Sequence, residues 1–339
     1  MEENISRKNF IRVVGYLKEN LLEQVKNADG ENVIRGSIII ATSELESHKI
    51  QFYVKQKNKN GEETEEYANL CELLPHNTIS IASYLKENSS ANFAVASSMA
   101  TKVWATGSFD EFTKREGEIE TTMILLKGRK GGIRTSNDKS DFVPCATFTT
   151  ENFLSSIEKE FDEDGKETGR YILQGYVPTY DGGAQKISYV APVEENVAAF
   201  ISKTYAKNDT VTLTGDIVSL VEREEGVQPK ESRSFGRSYD TQYVTKFIRE
   251  RRIFGGSQVP IHQGEKGCIS LEEMKSRLLK REEKIKAASM TRKNKSNNVN
   301  TSSSTSTAFS GEAVYDKNVA SFDNQTQNPS RIPSADIDF

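Results

Sequence analysis

KVWATGSFDEF, at residues 102–112, has a counterpart of the same pattern, TVTLTGDIVSL, at residues 210–220. Aligned on Thr106-Gly107 and Thr214-Gly215, both stretches alternate β-branched or aromatic residues with other side chains around a central glycine. This pattern is typical of a half-buried strand that bends at the glycine. Each stretch follows a hairpin and a short helical segment, and each precedes a strand that begins apolar, becomes basic and ends in glycines. We therefore predict two copies of one strand-rich domain.

Five strands are predicted in each half, with a helix-bearing connection between the third and the fourth. In the first half the strands are predicted at residues 10–17, 33–42, 49–57, 102–112 and 120–130. In the second half they are predicted at 169–178, 186–190, 210–220 and 241–256, with a helix at 193–207; residues 148–161 fit a strand or a helix. This order is that of the OB-fold, a small Greek-key barrel that binds oligonucleotides on one face. The predicted fold is mainly β: two tandem OB-fold-like five-stranded barrels.

Four segments follow from this pattern: a first domain at residues 5–140, a second at 141–260, a helical linker at 261–293 and a disordered tail at 294–339. The linker begins with Ser270 and Glu273 in the spacing of a capping box. Apolar residues then recur at helical spacing, which predicts one exposed or docking helix. They are Leu271, Met274, Leu278 and Ile285. The tail is rich in Asn, Ser and Thr and has few large apolar residues, so ordering it would not repay the entropy lost.

Composition argues against most enzymatic and membrane functions. Across 339 residues the net charge is −4, and the three cysteines and three histidines are scattered without the spacing of a disulfide framework or a zinc site. The sequence has no phosphate-binding loop, no HExxH and no GxSxG. We therefore predict a protein that is not an enzyme and needs no cofactor or metal. No apolar run is long enough to span a bilayer and no signal peptide is evident, which predicts an intracellular, cytoplasmic protein.

Positive evidence favours binding of single-stranded nucleic acid, which needs cations for phosphates and aromatic faces for bases. On the third strand Tyr53 shares its face with Lys55 and Lys57, whereas Phe52 points the other way. Each single aromatic residue also fits a place in the core, and Phe109 and Phe153 are assigned there. A long loop at residues 226–240 carries two arginines beside aromatic residues and is a further candidate binding element. The predicted nucleic-acid-binding residues are Tyr53, Lys55, Lys57, Trp104, Lys127, Arg129, Tyr171, Tyr176, Arg233, Arg237, Lys246, Arg249 and Arg251.

Two barrel patterns, a basic and aromatic hairpin, a polar tail and an acidic, apolar C-terminus together resemble the single-stranded DNA-binding proteins of bacterial and bacteriophage replication. Their tail ends in aspartates, an apolar residue and a final phenylalanine, which Asp336, Ile337, Asp338 and Phe339 match. The resemblance implies that this tip recruits replication and repair proteins in a bacterial host. The chain departs from the bacterial pattern because it is about twice as long and because the proline near the tip sits earlier, at Pro333. These departures favour a phage or mobile-element version.

The first hypothesis is therefore a non-catalytic protein that coats single-stranded DNA during replication, recombination and repair and recruits partners through its tip. A homodimer would present four barrels. The alternative is a phage structural or assembly protein in which tandem β-barrels are assembly modules. A third hypothesis is a barrel-bearing accessory subunit of a nuclease or ligase. Salt-dependent binding of oligo-dT discriminates the first hypothesis from the second, and cleavage or joining of labelled DNA with magnesium would support the third.

Overall fold

The first barrel is closed by five of the six strands in the N-terminal half. The computed structural model describes residues 8–116, 119–134, 142–225 and 243–297. The strands are β1 (Asn9–Asn20), β2 (Glu23–Lys26), β3 (Asn32–Ala41), β4 (Ser47–Lys55), β5 (Lys102–Glu116) and β6 (Ile119–Ile133), with helices α1 (Glu65–Glu72), α2 (Ile81–Glu87) and α3 (Phe93–Met99) between β4 and β5. β1 pairs with β3 and β5, β3 with β4, and β5 with β6, all antiparallel. A parallel pairing of β4 with β6 closes the barrel.

The second barrel repeats this connectivity. Its strands are β7 (Cys145–Phe161), β8 (Glu167–Pro178), β9 (Ala184–Ala191), β10 (Thr210–Glu225) and β11 (Tyr243–Gly256), with helix α4 (Val197–Thr204) between the third and the fourth. β7 pairs with β8 and β10, β8 with β9, and β10 with β11, all antiparallel. β9 and β11 pair in parallel, as β4 and β6 do. Both halves therefore have the OB-fold strand order, and the prediction of two tandem barrels is confirmed.

The two glycines on which the sequence copies align lie at equivalent bulges. The β5–β6 register shifts between Thr106 and Gly107, and the β10–β11 register shifts between Thr214 and Gly215. A Cβ on Gly107 would lie 1.9 Å from the carbonyl oxygen of Lys127, and one on Gly215 would lie 2.2 Å from that of Arg252. Only glycine allows the neighbouring strand to approach so closely. The bend predicted from the sequence is therefore set by the same backbone contact in both barrels.

Pairing of the first strands joins the two barrels into one eleven-stranded sheet. β1 runs antiparallel to β7, with Asn9 opposite Thr150 and Val14 opposite Cys145. Polar contacts extend the junction, because Gln185 accepts a hydrogen bond from Asn9 and donates one to Asp110 Oδ1 at 3.1 Å. The tandem barrels thus share a continuous hydrogen-bonded ladder, which the separate strand patterns do not show.

Helix α5 (Leu271–Asn297) follows the second barrel and packs against it. Ser270 Oγ accepts a hydrogen bond from the backbone N–H of Glu273, as a capping residue does. Met274 and Ile269 are buried in a cluster with Phe153 and Ala184, while Leu271 and Leu278 pack around it. Burying this apolar stripe holds α5 on the barrel. Of the two alternatives for this helix, docking is the one that the structure shows.

Three local features differ from the sequence prediction or complete it. Residues 148–161, which fit either state, lie in strand β7. The predicted helix at 193–207 begins later, at Val197, because Glu195 and Asn196 adopt left-handed backbone conformations with φ of 53° and 59° after a 3-10 turn. The short strand β2 was not predicted, and it pairs with β3 at the edge of the sheet.

Candidate nucleic-acid interface

A shallow groove lies along β4 and β6 on the outside of the first barrel. Alternation along β4 places Phe52 inside, 3% exposed, and Tyr53 outside, 47% exposed. Lys55 follows on the outer side of β4, and the exposed Lys57 lies just beyond the end of the strand. The residues lining the groove are Tyr53, Val54, Lys55, Lys57, Thr64, Glu66, Lys127, Gly128 and Arg129. The structure therefore brings together five of the predicted binding residues from two segments that are distant in sequence.

Gly128, which lines the groove, lies directly against the buried ring of Phe52. A Cβ on Gly128 would lie 2.2 Å from the Phe52 ring, so the ring occupies the space that a side chain at this position would need. Gln51 lies opposite Lys127 in the parallel ladder. Because side chains alternate along both strands, Tyr53 and Lys127 face outward on neighbouring strands. A base stacked on Tyr53 would have phosphate-binding cations beside it.

The cations around the groove fall into two electrostatic groups. Lys55 Nζ lies 2.8 Å from Glu31 Oε2, and Lys130 Nζ lies within 3.4 Å of both Glu65 and Glu66. Hydrogen bonds to these carboxylates raise the pKa of Lys55 and of Lys130.

Lys127, Lys57 and Arg129 form the other group. Among the described carboxylates, Lys127 has a distant one, Asp110, whose Oδ2 lies 3.8 Å from Lys127 Nζ. Lys57 and Arg129 form no ion pair with any carboxylate in the described part of the chain. These three side chains are the ones that a phosphate could approach without first breaking a close ion pair.

Trp104 lies on the outer face of β5, next to β6, and does not line the groove. It is half-buried, opposite Gly132 on β6 and Val14 on β1. A Cβ on Gly132 would lie 3.1 Å from Trp104 Nε1, so the indole covers this glycine. Its place in a binding site stays a prediction.

The predicted tyrosines of the second barrel are half-buried. Tyr171 packs against the main core, and Tyr176 packs against the cluster beneath α5. Phe109 and Phe153 are buried, in line with the core positions predicted for them. Packing therefore occupies part of both tyrosine rings.

The basic residues of β11 divide by position. Arg251 is half-buried, and its Nε donates a hydrogen bond to the carbonyl oxygen of Ser188 at 2.6 Å. Desolvation by burial lowers the pKa of its guanidinium. Lys246 and Arg249 are exposed, on the part of β11 that extends beyond the barrel with β10. Phe247 lies between them, is 59% exposed and was missed by the sequence argument. The sequence could have identified Phe247 as a candidate stacking residue, because it lies among four basic residues of one strand.

Two groups of predicted residues lie outside the described residues. Arg233 and Arg237 belong to the connection between β10 and β11, and Asp336, Ile337, Asp338 and Phe339 form the C-terminal tip. Within the described residues, no group of His, Cys, Asp and Glu side chains is arranged to hold a metal ion. None of the described helices has both the length and the apolar character of a membrane-spanning helix.

Comparison with protein families gives one match over most of the chain, in which the YorF family model covers residues 8–288. The chain belongs to the YorF family. The match to the YorF model takes in both barrels and most of α5. Comparison of this YorF-family chain with curated protein sequences gave no match.

Solved structures similar to the YorF-family chain include the wild-type single-stranded DNA binding protein from Thermus aquaticus. The two chains are 9% identical with a TM-score of 0.42, and the alignment covers 77% of this chain and 98% of the other. A deletion mutant of the same Thermus protein is 10% identical with a TM-score of 0.41, over the same shares of the two chains.

Proposed function

We propose that this chain is a non-catalytic protein that binds single-stranded DNA without sequence preference. The observation that carries the proposal is the groove of the first barrel, where Tyr53 stands beside Lys55 of β4, Lys57 just beyond β4, and Lys127 and Arg129 of β6. The proposed role is to coat and protect single strands during replication, repair and recombination in the cytoplasm of a bacterial host. Each barrel is proposed as one domain, with limits at residues 5–140 and 141–260.

The chemistry of the groove suits a flexible, unpaired strand. Base stacking on an aromatic ring is tolerant of sequence because every base has a π-face, and it is worth about 1–3 kcal/mol per base. Cations on both sides of Tyr53 meet the phosphates, and releasing condensed counterions makes the affinity fall with salt. The groove is shallow and lies on one face of the sheet, so a single strand with splayed bases fits it better than a duplex does.

Fluorescence anisotropy with labelled oligo-dT at two salt concentrations tests this proposal. We expect binding that weakens as salt rises, and a loss of about 5- to 150-fold in affinity for Tyr53→Ala, which removes one stacking platform worth about 1–3 kcal/mol. Tyr180→Ala is the matched control, because Tyr180 is fully exposed on the hairpin between β8 and β9. The control should bind as the unaltered protein does.

Three outcomes would count against the proposal. Absence of binding to any single strand would favour the assembly-module alternative. Equal losses for Tyr53→Ala and Tyr180→Ala would remove the groove from the site. Tighter binding to oligo-rU than to oligo-dT would redirect the proposal to RNA.

The C-terminal tip is proposed to recruit replication or repair proteins. Asp336, Ile337, Asp338 and Phe339 combine carboxylates with apolar side chains at the end of a long polar segment. We expect that deleting residues 335–339 leaves the affinity for oligo-dT within about twofold, because the groove cations are intact. The same deletion should abolish capture of replication proteins from a host extract. A loss of DNA affinity on deletion would contradict this assignment.

A further inference from the structure

We infer that the two barrels are not equivalent: the first holds the nucleic-acid strand in its β4–β6 groove, and internal ion pairs close the matching face of the second barrel. This inference rests on the proposed function and assigns the strand to one of two repeated faces. It follows from comparing equivalent positions, which the duplicated bulges define.

Equivalent positions follow from the shared registers. Gly107 lies opposite Gly128, and Gly215 lies opposite Ile253, at the same bulge in each barrel. Gly128 and Ile253 are therefore equivalent. The residues that precede them, Lys127 and Arg252, are equivalent as well. The parallel ladders agree, because Gln51 lies opposite Lys127 and Val190 lies opposite Arg252.

The end of β4 that carries Tyr53 and Lys55 has no counterpart in the second barrel. With Gln51 equivalent to Val190, Phe52 is equivalent to Ala191, where β9 ends. In the first barrel, β4 continues to Lys55 and thereby presents Tyr53. In the second barrel the chain instead enters a 3-10 turn at Glu194. The stacking ring and the first lysine of the groove are therefore missing.

The cation that remains, Arg252, is bound by the protein itself. Arg252 Nη2 lies 2.9 Å from Glu250 Oε2, and Arg170 Nη2 lies 2.6 Å from Glu250 Oε1. Glu160 Oε2 lies 3.1 Å from Arg170 Nε and completes a chain of alternating charges. Burial acts to raise the pKa of Glu250, but hydrogen bonds from both arginines outweigh it and hold this pKa below its usual value.

The cations at the equivalent positions of the first barrel form no close ion pair with the described carboxylates. Of the described carboxylates, Asp110 approaches Lys127 to 3.8 Å, and none forms an ion pair with Arg129, on the next outward position. By position, Arg129 corresponds to Phe254, which brings no charge. A phosphate at these positions of the first barrel finds available cations, whereas one at the equivalent positions of the second barrel must displace Glu250.

Alanine substitution at the matched pair of positions tests the inference. Lys127→Ala and Arg252→Ala each remove one cation from equivalent positions, and binding of labelled oligo-dT is measured at several salt concentrations. We expect Lys127→Ala to weaken binding about 3- to 10-fold and to reduce the salt slope by about 0.7, the value for one phosphate contact on a single strand. Arg252→Ala should change affinity by less than about twofold.

Glu250→Gln provides an independent test with the opposite sign. Removing this carboxylate frees Arg252, whereas Glu160 still pairs with Arg170. We therefore expect tighter binding and a steeper salt dependence. Thermal unfolding of each variant checks the fold, and Arg252→Gln replaces Arg252→Ala if the latter unfolds. Equal losses for Lys127→Ala and the Arg252 variant, or no gain for Glu250→Gln, would overturn the inference. Failure of the unaltered protein to bind would instead overturn the proposed function, so the two failures are distinguishable.

Discussion

The guanidinium of Arg281 on α5 lies against the carboxylate of Glu111 on β5, with Nη2 2.5 Å from Oε1 and both side chains buried. The other carboxylate oxygen of Glu111 accepts the backbone N–H of Lys186 on β9 at 2.7 Å. Glu111 of the first barrel thus binds both a strand of the second barrel and the helix that follows it. This contact supplements the β1–β7 ladder and fixes α5 across the junction.

Arg281→Ala is expected to lower the free energy of unfolding by about 3–5 kcal/mol, because it leaves Glu111 buried without its main partner. Urea unfolding followed by far-UV circular dichroism measures the loss. The matched control is Lys159→Ala, which breaks the exposed pair with Glu167 and should cost at most about 1 kcal/mol. Similar losses for the two variants would show that the buried pair contributes no more than a surface pair.

Gly107→Ala should destabilise the first barrel by more than about 2 kcal/mol, because its Cβ would overlap the carbonyl oxygen of Lys127. Gly255→Ala is the control in the same type of strand, since nothing lies within 4 Å of a Cβ built there. The control should stay within about 0.5–1 kcal/mol of the unaltered protein. Thermal unfolding measures both, and an unchanged midpoint for Gly107→Ala would contradict the bulge argument.

Glu31→Gln should tighten binding to oligo-dT about two- to fivefold at low salt, because Lys55 is then free to meet a phosphate. Glu167→Gln is the control with the same chemistry in the second barrel, where it releases Lys159. It should leave affinity nearly unchanged. A gain of the same size in both variants would indicate a general effect of net charge rather than one of the groove.

His48 should make the fold sensitive to mild acid. Burial lowers the pKa of its imidazole to about 4 in the folded protein, below the unfolded value of about 6.5. Between these values the unfolded chain binds more protons, so stability is full above about pH 6.5 and falls as the pH drops toward 4. The loss amounts to about 3 kcal/mol.

Urea unfolding at pH 7 and pH 4.5 measures this dependence on His48. His48→Gln should flatten the difference between the two pH values, whereas the exposed His76→Gln should leave it as in the unaltered protein. An unchanged pH dependence in His48→Gln would assign the acid sensitivity to other groups.

Much of the fold could be predicted because its signals are local. Alternation along 49–57 determines that Phe52 faces inward and Tyr53 outward, since successive side chains on a strand point to opposite faces. The repeated glycines at 107 and 215 identify the duplication, because at both positions a neighbouring strand approaches too closely for any side chain. The N-terminus of α4 was harder to predict, because the residue types Glu195 and Asn196 do not clearly indicate the left-handed conformations that they adopt.

The sequence by itself determined two OB-like barrels and most of their strands, although it left β7 open between strand and helix and did not predict β2. It also placed cations and rings such as Lys55 and Tyr53 on the outer face. Only the tertiary structure decided which of those cations are available. Lys127 and Arg252 occupy equivalent positions in equivalent strands, yet one is open and the other is bound by Glu250. Ion pairing depends on which carboxylates folding brings close to a cation. Glu31, for example, pairs with Lys55 although 24 residues separate them. Coulomb attraction depends on distance in space and not on separation along the chain.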